Sequence, residues 1–173
     1  MKERTILLDG FSKTYAMTGW RLGYTLGPAP IVEAMDTLQS QSTSNATTFA
    51  QWAGIAALRG PHDYLKGWVA EYDRRRRFIA AGLNGIEGLS AVMPKGAFYI
   101  FPRVSGLFGR RGPNGKIKDS NDVGLYFLEH AQCACVPGVG FGDGAFIRLS
   151  YATSFENVRK GIERIRAAVG QLG

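Results

Sequence analysis

Hydrophobic residues recur along the chain in two periods, and the alternation between them predicts a protein that mixes strands and helices. Short apolar runs at Thr5–Leu8 and at residues 22–26 each end in a Gly-containing turn, as buried strands do. Longer stretches repeat apolar residues every three or four positions, which is typical of helices that pack on one face. These stretches predict helices over residues 30–40, 48–58, 62–83 and 122–131, and one from Thr153 onward.

The part of the chain after residue 61 has an order of predicted elements of its own. A long helix is followed by two strands, a helix, two strands and a final helix, and this order predicts a compact α+β unit. Residues 105–120 are rich in Gly, Arg, Lys and Pro and are expected to form a mobile loop. Strands are predicted at residues 89–93, 97–104, 133–136 and 146–151.

The last helix has the clearest start signal in the chain. Thr153 and Glu156 stand three residues apart, as the two members of a capping box do. The apolar positions that follow at helical spacing predict a face that packs on the core. They are Phe155, Val158, Ile162, Ile165 and Val169.

Composition and charge fit a globular protein and narrow its partners. The 173 residues suit one domain of ordinary size, and 21 Lys and Arg against 14 Asp and Glu give a formal net charge of +7. Much of the excess lies in Arg74–Arg77 and in residues 110–118. Since no aromatic residues interleave with these basic runs, a solvated helix face and a basic loop are favoured over nucleic-acid binding. An anionic small ligand also suits this charge.

Cys133 and Cys135 are the two cysteines of the sequence. No second pair completes a zinc set, so they are predicted to be small apolar residues in a reduced protein, and no metal site is expected. The sequence contains no 18-residue apolar run and begins with mixed charges rather than an apolar leader. We therefore expect no membrane association and a cytoplasmic location.

A lysine and an arginine stand close to a predicted turn near the start of the chain. Lys13 follows an apolar strand and a small hydroxyl residue, Ser12. A lysine at such a strand end can be desolvated, which makes its amine available as a nucleophile or base, although a surface lysine at a turn has the same spacing. Arg21 and Ser12 could cradle an anion beside it, because the guanidinium fork suits a phosphate. The glycines of a nucleotide P-loop are absent upstream, so that site is not predicted.

Arg148 lies in the otherwise apolar segment Phe146–Ser150. A charge in such a strand either faces solvent or is paired, and in a cleft a carboxylate is its natural partner. The glycines between Gly138 and Gly144 have the look of a dinucleotide loop, but no helix follows them. They are predicted to shape a turn.

Residues 12–24, SKTYAMTGWRLGY, closely resemble the cofactor-lysine motif of class I/II aminotransferases. These are fold-type I enzymes that depend on pyridoxal 5'-phosphate (PLP), and the motif is most similar to that of the bacterial aspartate and prephenate aminotransferase branch. Three further stretches agree in order, so the resemblance covers nearly the whole chain. They are Met93–Tyr99, Val136–Gly138 with Phe141–Gly142, and Ile147–Ala152.

The resemblance implies a fold class and a set of site residues. The chain would be an α/β protein, the C-terminal part of a fold-type I PLP-dependent transferase. Residues 1–60 would be a remnant of the large-domain sheet and residues 61–173 a complete α+β small domain. Lys13 would bind PLP covalently and move the proton during the reaction. Ser12 and Arg21 would hold the PLP phosphate, and Arg148 would clamp the α-carboxylate of the substrate.

The implied function is the transfer of an amino group between an aspartate-like amino acid and a 2-oxo acid. The resemblance also implies that the full-length parent protein is a homodimer. Family members run to roughly twice this length or more, a scale that suits two domains. Several cofactor contacts of the family lie upstream of the matched region, and Asp9 cannot replace the aspartate that binds the pyridine nitrogen. Two alternatives therefore stand beside this function. One is a catalytically incompetent fragment or half of a split protein, and the other is a PLP-dependent lyase or synthase of the same fold.

Overall fold

The computed structural model of the protein describes residues 1–113 and 115–173. The chain divides into two compact units, Met1–Lys66 and Gly67–Gly173. The mixture of strands and helices in both units agrees with the predicted α/β class. The assignment of residues 1–60 and 61–173 to a large-domain remnant and a small domain stays a prediction.

The first unit combines a β-hairpin with two helices. Strands β1 (Leu7–Gly10) and β2 (Gly23–Leu26) pair antiparallel, with Leu7 opposite Leu26 and Gly10 opposite Gly23. Helices α1 (Ala29–Ser42) and α2 (Thr48–Arg59) follow. The predicted strands and helices are thus confirmed, but β1 starts two residues later than expected and continues through Gly10.

Much of the apolar surface of the first unit is exposed. Leu8 in β1 is 71% exposed and Trp52 in α2 is 68% exposed. In the same unit Leu26, Leu38 and Phe49 are also exposed, whereas Phe11, Met17 and Ala50 are buried. Residues 1–66 therefore present several large apolar side chains to solvent.

The second unit packs helices on a small antiparallel sheet. Its strands are ordered β3 (Tyr99–Ile100), β7 (Ile147–Ser150) and β6 (Val136–Pro137), with β7 in the centre. The strands predicted over 89–93 and 97–104 are much shorter than expected. Beyond β3, only isolated bridges of Arg103 to Ser90 and to Phe146 remain of them. The second unit contains all but the first three residues of helix α3 (Tyr64–Asn84), and the whole of α4 (Ser120–His130) and α5 (Phe155–Val169).

The segment 105–120 is anchored to the core, contrary to the predicted mobile loop. Leu107 and Ile117 are buried, and the short strands β4 (Arg111–Gly112) and β5 (Gly115–Lys116) pair with each other. The amide of Arg111 also donates a hydrogen bond to the carbonyl oxygen of Gly173 over 2.7 Å. The burial of these two apolar residues thus fixes a segment whose composition is typical of a mobile loop. Asn114 of this segment lies outside the described residues.

Helix α5 is capped one residue later than the predicted capping box. Ser154, not Thr153, is the N-cap, and its hydroxyl accepts the amide of Asn157 over 3.1 Å. Thr153 instead accepts from the side-chain amide of Asn157, and Glu156 forms an ion pair with Arg159. Because serine and threonine both carry a capping hydroxyl, backbone conformation decides which of the two caps the helix.

Candidate cofactor and carboxylate sites

The loop between β1 and β2 carries three of the four predicted site residues. The amide of Phe11 donates a hydrogen bond to the carbonyl oxygen of Leu22 over 3.2 Å, one residue beyond the last strand pair. Ser12 is therefore the first loop residue after β1, and Arg21 is the last loop residue before β2. Lys13 follows Ser12. The hairpin thus brings Ser12, Lys13 and Arg21 into one ten-residue loop, residues 12–21.

Aromatic packing supports the base of this loop. The buried Phe11 ring lies 5.5 Å from the rings of both Tyr15 and Tyr24, measured between centroids. The amide of Tyr15 donates to the carbonyl oxygen of Phe11, and the amide of Ala16 to that of Lys13. These contacts hold the turn on which Lys13 sits. The side chain of Lys13 is exposed, so the desolvation that the sequence suggested does not arise from burial within this chain.

Arg21 occupies an unusual backbone conformation at the far end of the loop. It lies in the left-handed region with φ 52° and ψ 48°, directly after the single-turn helix Thr18–Trp20. Ala16 in the same loop also has a positive φ, 53°. Positive φ values cost energy for residues other than glycine and concentrate at functional sites. The loop is therefore a strained segment next to the predicted anion-binding group.

The Arg21 side chain borders an open cleft. One of its nitrogens, Nη1, donates to the carbonyl oxygen of Thr18 over 2.8 Å. Among residues 1–113 and 115–173 no further hydrogen bond of the Arg21 side chain is found, which leaves donors for a ligand. The cleft has a volume of about 500 Å³. It is lined by Ala16, Gly19, Trp20, Arg21, Asn45, Ala46, Thr47 and Phe49.

Asp9 and Tyr24 form a polar pair beside this loop that the sequence reasoning did not single out. They face each other across the hairpin, and the Tyr24 hydroxyl donates to Asp9 Oδ2 over 3.3 Å. The Gly10 amide donates to Asp9 Oδ1 over 2.7 Å. Desolvation and the neighbouring Asp9 carboxylate raise the pKa of Tyr24 above its usual value. The pair could have been predicted from the sequence, because two strands joined by a turn place the residues at equal distances from the turn opposite each other.

Arg148 lies in the second unit, at the centre of the β3–β7–β6 sheet. Its neighbours Ile147 and Leu149 are buried in the core, whereas Arg148 is half-buried on the other face of β7. The guanidinium carbon lies over two aromatic rings, 4.4 Å from the centroid of Tyr99 and 4.5 Å from that of Phe141. Within the described part of the chain, no carboxylate reaches ion-pair distance of Arg148. The sequence left open whether Arg148 faces solvent or is paired with a carboxylate. In the structure its guanidinium contacts two aromatic rings instead.

The basic run of α3 is accounted for by ion pairs along the helix. Glu71 pairs with Arg74 and Arg75. Asp73 pairs with Arg76 and Arg77, so all four arginines have an acidic neighbour one turn away. The side-chain hydrogen bonds from Arg74 and Arg75 lower the pKa of Glu71 from 4.5 to about 2. This arrangement supports the interpretation of the run as a helix face.

Two further expectations concern metals and membranes. Among residues 1–113 and 115–173, no three His, Cys, Asp or Glu side chains are grouped so that they could hold a metal ion. Cys133 and Cys135 are both free thiols. In the same described residues, none of the helices combines the length and the apolar character that crossing a membrane requires.

Comparisons with known proteins agree with the resemblance of the motifs. The family model described as "Aminotransferase class I and II" matches residues 1–165. The "Aspartate aminotransferase" of Rhizobium meliloti (strain 1021) is 46% identical over 173 residues, which cover 99% of this chain and 42% of that protein. The "Probable aspartate/prephenate aminotransferase" of Rickettsia felis is 40% identical over the same shares of 99% and 42%.

A solved structure agrees as well. The crystal structure of the Rhizobium meliloti aspartate aminotransferase superimposes with a TM-score of 0.94 at 45% identity. The match covers 99% of this chain and 43% of that chain. The chain therefore spans about two-fifths of the length of the curated relatives that it matches.

Proposed function

The chain belongs to the class I and II aminotransferase family, and we therefore propose that it contributes the lysine, the phosphate contacts and the carboxylate contact of a PLP-dependent aminotransferase. The reaction would move an amino group between an amino acid, aspartate-like, and a 2-oxo acid. The observation that carries this proposal is that one hairpin loop, closed by the pairing of β1 with β2, contains Ser12, Lys13 and Arg21.

The residues of the loop fit two groups of PLP, its phosphate and its aldehyde. A phosphate needs several hydrogen-bond donors and positive charge. Ser12 would supply its hydroxyl, and Arg21, which borders the open cleft, would supply its charge and its further N–H donors. An aldehyde needs an accessible amine, and Lys13 is exposed. When bound, PLP supplies an electron sink for the electrons released at the substrate α-carbon.

The protein residues would then bind the substrate and move its proton. Lys13 Nζ would accept the proton from the substrate α-carbon and deliver it to C4' of the cofactor. Arg148 binds the α-carboxylate through two parallel N–H donors, which fixes the orientation of the substrate. Asp9 has no role in this scheme; its carboxylate oxygens accept hydrogen bonds from the Gly10 amide and the Tyr24 hydroxyl.

Covalent trapping tests the role of Lys13. The purified chain is incubated with limiting PLP, reduced with borohydride so that PLP is fixed on the amine it occupies, and digested for mass spectrometry. We expect the label on the peptide that contains Lys13 and its loss in Lys13→Ala. Lys66→Ala, which removes another exposed lysine of the same unit, should label normally. Equal labelling of many lysines, or an unchanged total in Lys13→Ala, would contradict the assignment.

The phosphate contacts have a test of their own. Arg21→Gln removes the charge but keeps a side chain of related size, so the PLP concentration for half-maximal labelling should rise on the order of tenfold, as for loss of a charged hydrogen bond. Ser12→Ala should show a smaller effect in the same direction. Labelling of Arg21→Gln at the same PLP concentration as the parent would reject the phosphate role of Arg21.

A second candidate function is favoured by the exposed apolar surface of the first unit. Leu8 and Trp52 face solvent, and the chain spans only about two-fifths of the length of the relatives that it matches. The chain alone would then be non-catalytic and would act only together with a complementary polypeptide. A transamination assay with aspartate and a 2-oxo acid, with product analysis to detect lyase or synthase chemistry, separates these candidates. The homodimer of the full-length parent stays a prediction.

A further inference from the structure

We propose that Tyr99 and Phe141 are positioning residues that hold the Arg148 guanidinium against their rings, so that the group is already oriented when it meets a substrate carboxylate. This inference rests on the proposed carboxylate role of Arg148. It starts from the two ring contacts, in which the guanidinium carbon lies 4.4 Å from the Tyr99 centroid and 4.5 Å from the Phe141 centroid. Both distances are well within the range of cation–π attraction.

The sheet register explains why Tyr99 reaches Arg148. Tyr99 in β3 lies opposite Ser150 in β7, two residues along the strand from Arg148. Residues two apart on a strand share a face, so Tyr99 and Arg148 are diagonal neighbours on the face away from the core. The opposite face carries Ile100 and Leu149, which are buried.

Phe141 reaches the same guanidinium from a separate element. It ends the single-turn helix Gly138–Phe141, which follows β6. Its ring meets the Phe101 ring edge-on at 5.9 Å, and Phe101 in turn stacks on Phe146 at 5.1 Å. This chain of rings supports Phe141 from behind although Phe141 itself is 48% exposed. The two rings thus hold the arginine from two independently anchored elements.

Ring contacts of this kind do not use the N–H donors of Arg148 as hydrogen-bond partners. Cation–π contacts use the flat face of the guanidinium, whereas its N–H donors lie in the plane of the group. Since no carboxylate of the described residues pairs with Arg148, an incoming carboxylate displaces no ion pair. An arginine that is already immobilised also loses less conformational freedom on binding. The aromatic contacts are therefore suited to a carboxylate clamp, in which an internal salt bridge would compete with the ligand.

The test reads the arginine directly, without relying on catalysis. In arginine-labelled chain, the Nε–Hε resonance of Arg148 is identified by its absence in Arg148→Lys, and succinate serves as the carboxylate probe. We expect Phe141→Leu and Tyr99→Leu to shift this resonance, because the ring current is lost. Each should also weaken succinate binding by about two- to fivefold, the loss expected for one cation–π contact. Phe141→Tyr and Tyr99→Phe should restore both readouts, and Val139→Ala, at an exposed neighbour in the same turn, should change neither.

The outcomes separate this inference from the function on which it rests. If Arg148→Lys binds succinate as well as the parent, the carboxylate role of Arg148 is rejected, and the inference with it. If Arg148→Lys binds weakly but both leucine variants keep the parent resonance and affinity, the positioning role alone is rejected. Circular dichroism establishes that the leucine variants are folded, and the exposure of Phe141 makes its variant the safer of the two.

Discussion

Arg76 Nη1 donates a hydrogen bond to the carbonyl oxygen of Pro94 over 2.7 Å. The same side chain binds Asp73 one turn earlier through Nε, over 2.9 Å. Arg76 thereby ties helix α3 to the segment that leads into β3 and Tyr99. One of four consecutive arginines is in this way part of the tertiary structure, whereas its neighbour Arg77 is 70% exposed.

The first prediction compares these two adjacent arginines. Arg76→Met should lower the free energy of unfolding by about 1 kcal/mol, because it removes a charged hydrogen bond to a partly buried carbonyl group. Arg77→Met should change it by less than about 0.5 kcal/mol, as is usual for an exposed ion pair. Urea unfolding followed by circular dichroism measures both. Equal effects of the two substitutions would show that the Pro94 contact contributes nothing.

The second prediction concerns the turn that carries Phe141. A Cβ added at the buried Gly138 would overlap the backbone carbonyl oxygens of Asp143 and Phe146, whereas one added at Gly140 would meet nothing within 4 Å. Gly138→Ala should therefore cost about 1–3 kcal/mol of stability, because the clash is with backbone that cannot rotate away. Gly140→Ala should stay within about 0.5 kcal/mol of the parent. A thermal melt of each variant decides, and a stable Gly138→Ala protein would contradict the prediction.

The third prediction is a pH dependence from Glu71. Its hydrogen bonds to Arg74 and Arg75 lower its pKa from 4.5 to about 2, so the folded state binds this proton less readily than the unfolded state. The stability that the ionised Glu71 contributes is therefore present above about pH 4.5 and is lost as the pH falls toward 2. Urea midpoints measured across this range should fall less steeply in Glu71→Gln than in the parent.

A matched control for Glu71 lies in α1. Within the described residues the carboxylate of Glu33 forms no ion pair, so Glu33→Gln should keep the pH dependence of the parent. Parallel curves for Glu71→Gln and the parent between pH 4.5 and 2 would mean that the two arginine contacts do not form in solution.

The fourth prediction concerns the two thiols. Burial raises the pKa of Cys133, and burial together with the neighbouring Cys133 raises the pKa of Cys135 from 9.0 to about 11. Since the thiolate is the reactive form, Cys135 in the folded chain should be alkylated at pH 8 on the order of a hundredfold more slowly than in the denatured chain. Mass spectrometry after timed iodoacetamide treatment measures the rate at each thiol. Equally fast labelling of Cys135 in folded and denatured chain would contradict the burial that the structure shows.

The amphipathic helices could be predicted from the sequence because their signal is local. The apolar positions Val158, Ile162, Ile165 and Val169 repeat within one helix, and all four are buried in the core. Because Ser12, Lys13 and Arg21 lie within ten residues, their place between two short strands could also be predicted from the sequence. Where local signals compete, prediction was wrong. Thr153 and Ser154 offer the same hydroxyl for a helix cap, and the basic composition around Leu107 and Ile117 hid two core residues.

Contacts between distant parts of the chain account for the rest. Whether Arg148 faces solvent or a partner depends on Tyr99 in another strand and Phe141 in a separate turn, and no period in the sequence joins these three positions. The closure of the loop that contains Lys13 depends on the pairing of β1 with β2. In this loop Arg21 has a left-handed conformation, which is unfavourable for a residue that carries a Cβ. Periodicity was thus enough to predict the helices, and the motif residues were enough to predict the family. The environment of each charged group required the packed structure, because long-range pairing sets it.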